Sequence, residues 1–207
     1  MKKFTDALLQ ILSEGLPGPA AQRFMAPAGR VVGPYEGGDY PDAKKASVMV
    51  LLFPKDEVVH SVLMERPSYD GVHSGQISFP GGGQELQDEN AWFTALRETK
   101  EEVGVEGIRH LGALSPLYIP PSNFFVRPYL GWLPHYPTFI PDEKEVASIV
   151  EFPVQHILTA SSKSTMLVER NTWRMQVPCY IIGNHKVWGA TAIILSELEA
   201  LLKAMEM

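Results

Sequence analysis

Apolar residues along the chain recur with two periods, and the shorter period predicts β-strands. The runs SVMVLLF (47–53) and VVHSVLME (58–65) are apolar and rich in β-branched residues, and they flank the polar turn PKDE. They therefore predict a hairpin. A second hairpin is predicted around Gly183-Asn184. The remaining strand candidates are 76–79, 108–114, 124–133, 146–152, 172–182 and 185–189.

The longer period, near 3.6 residues, predicts three helices. Residues 4–14 carry apolar side chains on one side, and residues 192–205 form a closing helix. A central helix begins after Asp88, which we predict to be its N-cap, and ends before Gly104. The predicted buried side of this helix consists of Ala91, Ala95, Leu96, Thr99 and Val103.

These elements predict the architecture. Strands before and after a central helix, with a second helix at the end, predict an α/β fold in which helices cover both faces of a mixed sheet. We expect a single domain over residues 1–207, with residues 1–45 as an N-terminal helix and loop extension. The stretch PGGGQ, which follows the strand at 76–79, is predicted to be a loop by its composition.

Charge and composition narrow the class of protein. The 207 residues are 45% hydrophobic and 20% charged, with a formal net charge of −6. The negative charge argues against binding of nucleic acid polymers, which depends on lysine and arginine. No apolar run is long enough to predict a membrane span. Cys179 is the only cysteine, so no internal disulfide can form, and a cytoplasmic protein is expected. The thiol itself is expected to be buried and inert.

An acidic cluster near the end of the central helix points to a bound cation. In RETKEEVG (97–104), Glu98, Glu101 and Glu102 fall within one arc of the helix. Acids in the last turn oppose the helix dipole and cost about 0.3–1 kcal/mol each. Sequences depart from such local helix preferences mainly at functional sites. Here a bound metal ion would offset the repulsion between the carboxylates.

The segment FPGGGQELQDENAWFTALRETKEEVGV (79–105) resembles the Nudix box, the defining motif of the Nudix hydrolases. Glycine, glutamate and arginine match its spacing from Gly83 to Val105, while Thr99 stands where the family usually has an aliphatic residue. The resemblance implies the Nudix fold, an α/β/α sandwich. It also implies hydrolysis of a diphosphate with Mg²⁺ or Mn²⁺, which carboxylates can hold.

The same resemblance suggests roles for the residues of the box. Glu101 and Glu102 are expected to be metal ligands, and Glu98 either a metal ligand or the base for the attacking water. The backbone carbonyl of Gly82 is expected to be a further ligand, with Gly83 in the same turn. Arg97 is expected to orient the catalytic glutamate. Glu89 stands at the helix start, where capping alone would explain it, and the family suggests that it also supports the metal site.

The residues before the box resemble the extra motif of the coenzyme A diphosphatases. Arg66, Gly75 and Phe79–Gly82 align with that motif. Arg66 is expected to contact a substrate phosphate, with a structural ion pair as the alternative. The departures are Met64, Pro67 and Gly71, the last in place of an arginine. His73 is a second candidate for substrate contact. Outside the box, Glu145 is the preferred additional carboxylate, with Glu143 and Glu151 as alternatives.

The sequence therefore predicts hydrolysis of coenzyme A or its acyl derivatives to 3',5'-ADP and 4'-phosphopantetheine. One alternative is hydrolysis of ADP-ribose, dinucleotides or nucleoside triphosphates. The other is a catalytically silent nucleotide-binding regulator, which would be expected to lose box carboxylates that this chain keeps. The partner is a small molecule, and the sequence is compatible with a monomer or a homodimer. The aromatic residues of YIPPSNFF (118–125) are expected either to pack or to contact a base or pantetheine arm.

Overall fold

The first predicted hairpin forms the centre of the fold in the computed structural model, which describes residues 1–33, 40–67, 75–170 and 173–205. Strand β1 spans Lys44–Lys55, and both of its faces are buried over most of its length. A strand of this kind must be covered on both sides. Met49, Leu51 and Phe53 face one apolar cluster, whereas Val50 and Leu52 face another.

Most of the other strands join this one in a mixed sheet. They are β2 Val58–Glu65, β3 Ile77–Ser78, β4 Gly81–Gly83, β5 Arg109–Ala113, β6 Leu117–Ile119, β7 Phe124–Trp132 and β8 Ser148–Pro153. The order is β3-β2-β1-β7-β5, with β4 on β1, β6 on β7 and β8 on β2. Strands β1 and β7 are parallel, and the other pairs are antiparallel. A second, antiparallel sheet contains β9 Lys163–Arg170, β10 Trp173–Ile182 and β11 His185–Trp188.

Helices cover both faces of the main sheet, as predicted. They are α1 Lys2–Glu14, α2 Gly18–Gln22, α3 Ala91–Val103 and α4 Gly189–Met205, with 3-10 turns at Arg23–Met25, Pro120–Ser122, Val154–Leu158 and Ala160–Ser162. Residues of α1 and α4 pack in the cluster around Val50, and residues of α3 pack in the cluster around Met49. The α/β/α arrangement is therefore confirmed.

Several sequence expectations need correction. The segment 15–45 was expected to be a loop, but it contains α2 and the turn Arg23–Met25. Helix α2 is held to α4 by the buried Glu197, which accepts hydrogen bonds from Gly18 N at 3.2 Å and Gln22 Nε2 at 3.0 Å. Strand β9 was not predicted. The glycines of PGGGQ form strand β4 because their backbone pairs with β1.

Two further observations concern the single cysteine and the character of the helices. The thiol of Cys179 is buried, and burial raises its pKa, as expected of an inert cysteine. Across the described residues, we find no helix with the length and apolar character needed to cross a bilayer.

Candidate active site

The start of α3 differs from the prediction by two residues. The N-cap is Asn90, whose side-chain oxygen accepts hydrogen bonds from Trp92 N at 2.9 Å and Phe93 N at 3.4 Å. Asp88 was predicted to be this cap and instead lies two residues before it, outside the helix. The helix ends as expected at Gly104, which adopts a left-handed conformation with φ of 74°. These two ends place the box carboxylates along one edge of the helix.

Asp88 instead holds Arg97, the arginine of the box. Its two oxygens accept hydrogen bonds from Arg97 Nε and Nη2, both at 3.0 Å. The same guanidinium contacts Glu98 Oε1 at 3.0 Å, Glu101 Oε2 at 2.9 Å and the carbonyl of Gly83 at 2.9 Å. Hydrogen bonding from Arg97 lowers the pKa of Asp88 to about 2. A fixed guanidinium of this kind orients the carboxylates on either side of it.

Strand β4 brings backbone against the same carboxylates. Gly82 pairs with Ser47 of β1, and a Cβ atom at Gly82 would lie 2.5 Å from Cδ and both carboxylate oxygens of Glu98. Only glycine leaves room for the Glu98 side chain at this point. The glycine run therefore does more than turn the chain. It brings the Gly82 backbone against Glu98, and both residues were predicted as candidate metal ligands.

Glu102 is buried under the same strand. Its side chain is 1% exposed, and its oxygens accept hydrogen bonds from Gly81 N at 2.7 Å and Arg66 Nη2 at 3.2 Å. Arg66 also donates to the Gly81 carbonyl at 3.2 Å. Arg66 was proposed above as a phosphate contact, and the structure places it in an ion pair with a box carboxylate. It therefore lies at the carboxylate site, in contact with both Gly81 and Glu102.

Burial dominates the electrostatics of the two inner carboxylates. Desolvation raises the pKa of Glu102 to about 8, although Arg66 and the Gly81 N–H act in the opposite direction. Desolvation also raises the pKa of Glu98 in spite of the attraction of Arg97. Perturbed carboxylates of this kind are more frequent at functional sites than elsewhere.

The segment after β7 adds a further carboxylate. Ile140 N donates to Val103 O at 2.9 Å and Asp142 N to Glu102 O at 3.0 Å, so this segment is fixed on the end of α3. Glu145 follows it, and its charge contributes to the raised pKa of both Glu98 and Glu102. The structure thus places Glu145 near the inner carboxylates.

The other candidates are less closely associated with this centre. Glu89 is exposed at the start of α3, so its supporting role stays a prediction. Glu151 is engaged elsewhere, since it accepts hydrogen bonds from Lys55 at 3.0 Å and the Tyr136 hydroxyl at 2.9 Å. His73 and Gly71 lie outside the described residues.

The donor atoms at this site suit a divalent cation. Over the described ranges, no three His, Cys, Asp or Glu side chains converge closely enough to hold an ion, because Glu101 is turned to Arg97 and Glu102 to Arg66. The available donors are nevertheless carboxylate and carbonyl oxygens, which Mg²⁺ and Mn²⁺ prefer. Added positive charge would also offset the desolvation of Glu98 and Glu102. The carboxylate and carbonyl donors present here therefore fit a divalent cation such as Mg²⁺ or Mn²⁺.

Comparison with known proteins identifies the family. A family model of the NUDIX domain matches residues 43–169. The chain is 36% identical over 141 residues to a protein of Pectobacterium atrosepticum described as an uncharacterized Nudix hydrolase NudL, covering 67% of this chain and 73% of that protein. A protein of Yersinia pestis with the same description is 31% identical over 157 residues, covering 75% and 78% of the two chains. The chain belongs to the NUDIX family.

Solved structures support the fold. A MutT protein from Methanosarcina mazei has a TM-score of 0.51 at 13% identity and covers 77% of this chain and 94% of its own. A MutT/nudix family protein from Enterococcus faecalis has a TM-score of 0.50 at 19% identity and covers 84% of this chain and 66% of its own. This protein is thus a Nudix hydrolase, an enzyme of a family that acts on nucleoside diphosphate derivatives.

The main residue of the candidate site that sequence reasoning misplaced is Asp88, which pairs with Arg97. Asp88 reaches Arg97 because the chain turns back after strand β4. No helical or strand period relates positions 88 and 97. The one available signal was that two candidate caps, Asp88 and Asn90, stood before a single helix. Only one of them was needed as a cap.

Proposed function

We propose that the protein hydrolyses the diphosphate bond of coenzyme A or its acyl derivatives, giving 3',5'-ADP and 4'-phosphopantetheine. The observation that carries this proposal is the position of Arg66. This residue belongs to the segment that resembles the coenzyme A diphosphatases, and it contacts both Gly81 and Glu102 of the box. The segment before the box is therefore in contact with the site and able to influence which diphosphate binds there.

The side chains divide the chemical work. Glu98 is desolvated and held by Arg97, so it is suited to accept a proton from the attacking water. Arg97 keeps Glu98 and Glu101 in place through one guanidinium. Arg66 can exchange its contact with Glu102 for a phosphate oxygen of the substrate, because a guanidinium binds either anion.

Magnesium or manganese, when bound, neutralises the phosphates and lowers the pKa of a bound water. Glu98, Glu101, Glu102 and the carbonyl of Gly82 would hold it, with Glu145 as an added carboxylate. Displacement of Glu101 from Arg97 and of Glu102 from Arg66 would free their oxygens for this role. The proposed setting is the reducing cytoplasm, which suits the buried Cys179. Either a monomer or a homodimer would serve.

The test is incubation of the purified protein with coenzyme A and Mg²⁺ or Mn²⁺, with chromatographic separation of products and an EDTA control. Metal-dependent appearance of 3',5'-ADP is the expected result. Glu101→Gln should remove nearly all turnover, because it alters a proposed metal ligand. It should leave the fold intact, because this side chain is 57% exposed. Glu106→Gln is the matched control, since it removes the same charge from a side chain that is 60% exposed. Full activity of Glu101→Gln would contradict the assignment of the site.

A second candidate within the class is hydrolysis of ADP-ribose, a dinucleotide or a nucleoside triphosphate. It is favoured by one observation, the glycine at position 71 where the coenzyme A motif has an arginine. Turnover of one of these compounds, with no product from coenzyme A, would show that the substrate belongs to this second set. Binding without metal-dependent turnover of any diphosphate would instead indicate a silent nucleotide sensor.

A further inference from the structure

The register of the sheet places a set of side chains beside the carboxylate site, on the face that carries α3. Gly82 of β4 pairs with Ser47 of β1, and Ser47 pairs with Arg127 of β7. Two residues along these strands, Lys45 pairs with Phe125, and Phe125 pairs with Tyr118 of β6. Paired residues project from the same face.

That face can be identified from its neighbours. A Cβ atom at Gly82 would meet Glu98 of α3, and Tyr129, two residues after Arg127, packs in the α3 cluster. Side chains alternate along a strand, so Arg127 and Phe125 lie on the α3 face with Tyr129. With strands about 4.8 Å apart, Arg127 lies roughly 10 Å from Gly82 across the sheet.

The chemistry of this row is cationic and aromatic. Lys45 and Arg127 are both exposed, and neither forms an ion pair with any carboxylate in the part of the chain that the structure describes. Both are neighbours of Phe125 on this face, Lys45 on the paired strand and Arg127 two residues along β7. The Tyr118 ring on β6 stacks on Tyr40 at 3.8 Å between centroids. In a chain of net charge −6, two uncompensated cations next to a carboxylate site are a local reversal of charge.

We propose that Lys45, Phe125 and Arg127 form a subsite for the nucleotide half of the substrate, which rests on the proposed function. The cations bind phosphate oxygens, and the aromatic ring packs against the base. With the scissile diphosphate beside Glu98, the ribose and base extend over the distance to this row. The nucleotide half of coenzyme A carries an additional 3'-phosphate, which complements the second cation. The uncharged pantetheine arm then lies away from these residues.

The strands provide a matched control for each residue of the subsite. Lys44 and Phe124 are the chain neighbours of Lys45 and Phe125, and their side chains lie on the opposite face of the sheet. Arg109 of β5 is exposed and pairs with Trp132, which also packs in the cluster of the opposite face. The pairs to compare are therefore Lys45→Met with Lys44→Met, Phe125→Leu with Phe124→Leu, and Arg127→Met with Arg109→Met.

The experiment is isothermal titration of 3',5'-ADP, and separately of 4'-phosphopantetheine, into the full chain in the presence of EDTA. Arg127→Met and Lys45→Met should each weaken binding of 3',5'-ADP about tenfold, as loss of a charged hydrogen bond does. Phe125→Leu should weaken it about fivefold or more. The three control variants should stay within about twofold of the parent, a difference of less than half a kcal/mol.

The outcomes separate this subsite from the proposed reaction. Equal affinities for 3',5'-ADP in Arg127→Met and Arg109→Met would overturn the subsite, and so would an absence of 3',5'-ADP binding by the parent. A loss confined to 4'-phosphopantetheine would also overturn it. Binding of 3',5'-ADP that depends on Arg127, in a protein that does not hydrolyse coenzyme A, would support the subsite and refute only the proposed substrate.

Discussion

Replacement of each glycine of β4 by alanine should give three different results, although the residues are consecutive. At Gly82, the added Cβ would lie 2.5 Å from the carboxyl group of Glu98. That group is the end of a flexible side chain, so it can rotate away at a cost of about 0.5–1.5 kcal/mol. The fold should survive this change. The carboxylate, however, is displaced from Arg97, and turnover should fall about 10²–10⁴-fold if Glu98 is the base.

At Gly81 the obstacle is backbone. The added Cβ would lie 2.3 Å from the carbonyl oxygen of Ser47 and 2.6 Å from Cα of Val48, and the residue has φ of +152°. Neither atom can move without loss of the β1–β4 pairing. Backbone strain of about 1–3 kcal/mol and overlap of about 1–3 kcal/mol give a destabilisation of about 2–6 kcal/mol. At Gly83 the nearest atom is Phe124 Cε1 at 3.9 Å, so alanine should be tolerated there.

Urea unfolding and steady-state turnover on the hydrolysed diphosphate check the series. The expected result is a large loss of stability for Gly81→Ala, a large loss of turnover with little loss of stability for Gly82→Ala, and neither for Gly83→Ala. Normal turnover of Gly82→Ala would refute the idea that Glu98 depends on the space above this glycine. A loss of stability in Gly82→Ala as large as that in Gly81→Ala would refute the distinction between a movable and a fixed obstacle.

Two further predictions concern the start of α3. Asn90→Ala should lower the free energy of unfolding by about 1 kcal/mol, whereas Asn90→Asp should keep the cap, and urea titration of both distinguishes them. Asp88→Asn should lower the free energy of unfolding by about 1–3 kcal/mol near neutral pH, because Arg97 loses a charged partner. The folded pKa of Asp88 is lowered from 3.8 to about 2, so its contribution is present above pH 3.8 and is lost as pH falls through about 2. As pH falls through this range, the difference in the free energy of unfolding between the parent and Asp88→Asn should shrink toward zero in urea titrations. A difference that stays constant with pH would contradict the ion pair.

The parts of the fold that follow from local pattern were predictable. The strands β1, β2 and β7 and the helix α3 carry strong apolar periods, and their positions were confirmed within a few residues. Thr99 was expected on the core side of α3, and it is buried there with its hydroxyl donating to Ala95 O at 2.6 Å. The approach of Arg97 to Glu101 was also predictable, because residues four apart are neighbours on a helix.

What could not be predicted depends on pairing between distant segments. The glycines of β4 carry no side-chain signal for a strand, and they become one only because β1 offers its edge. The ion pair between Arg66 and Glu102 likewise joins segments that lie on different elements. A sequence period reports neighbours along one element, whereas these contacts are set by how the elements are assembled.

The central position of β1 has a consequence for how the site is lost. Arg66 follows β2, Gly82 lies on β4, and Arg127 of the proposed subsite lies on β7, and each of these strands pairs with β1. Its parallel partner β7 comes much later in the chain, so this pairing closes a long loop and forms slowly during folding. The helix contacts of Arg97 are local, but the site cannot be completed before the sheet has formed. Catalytic competence and the slowest-exchanging amides of β1 should appear together on refolding, as one cooperative unit.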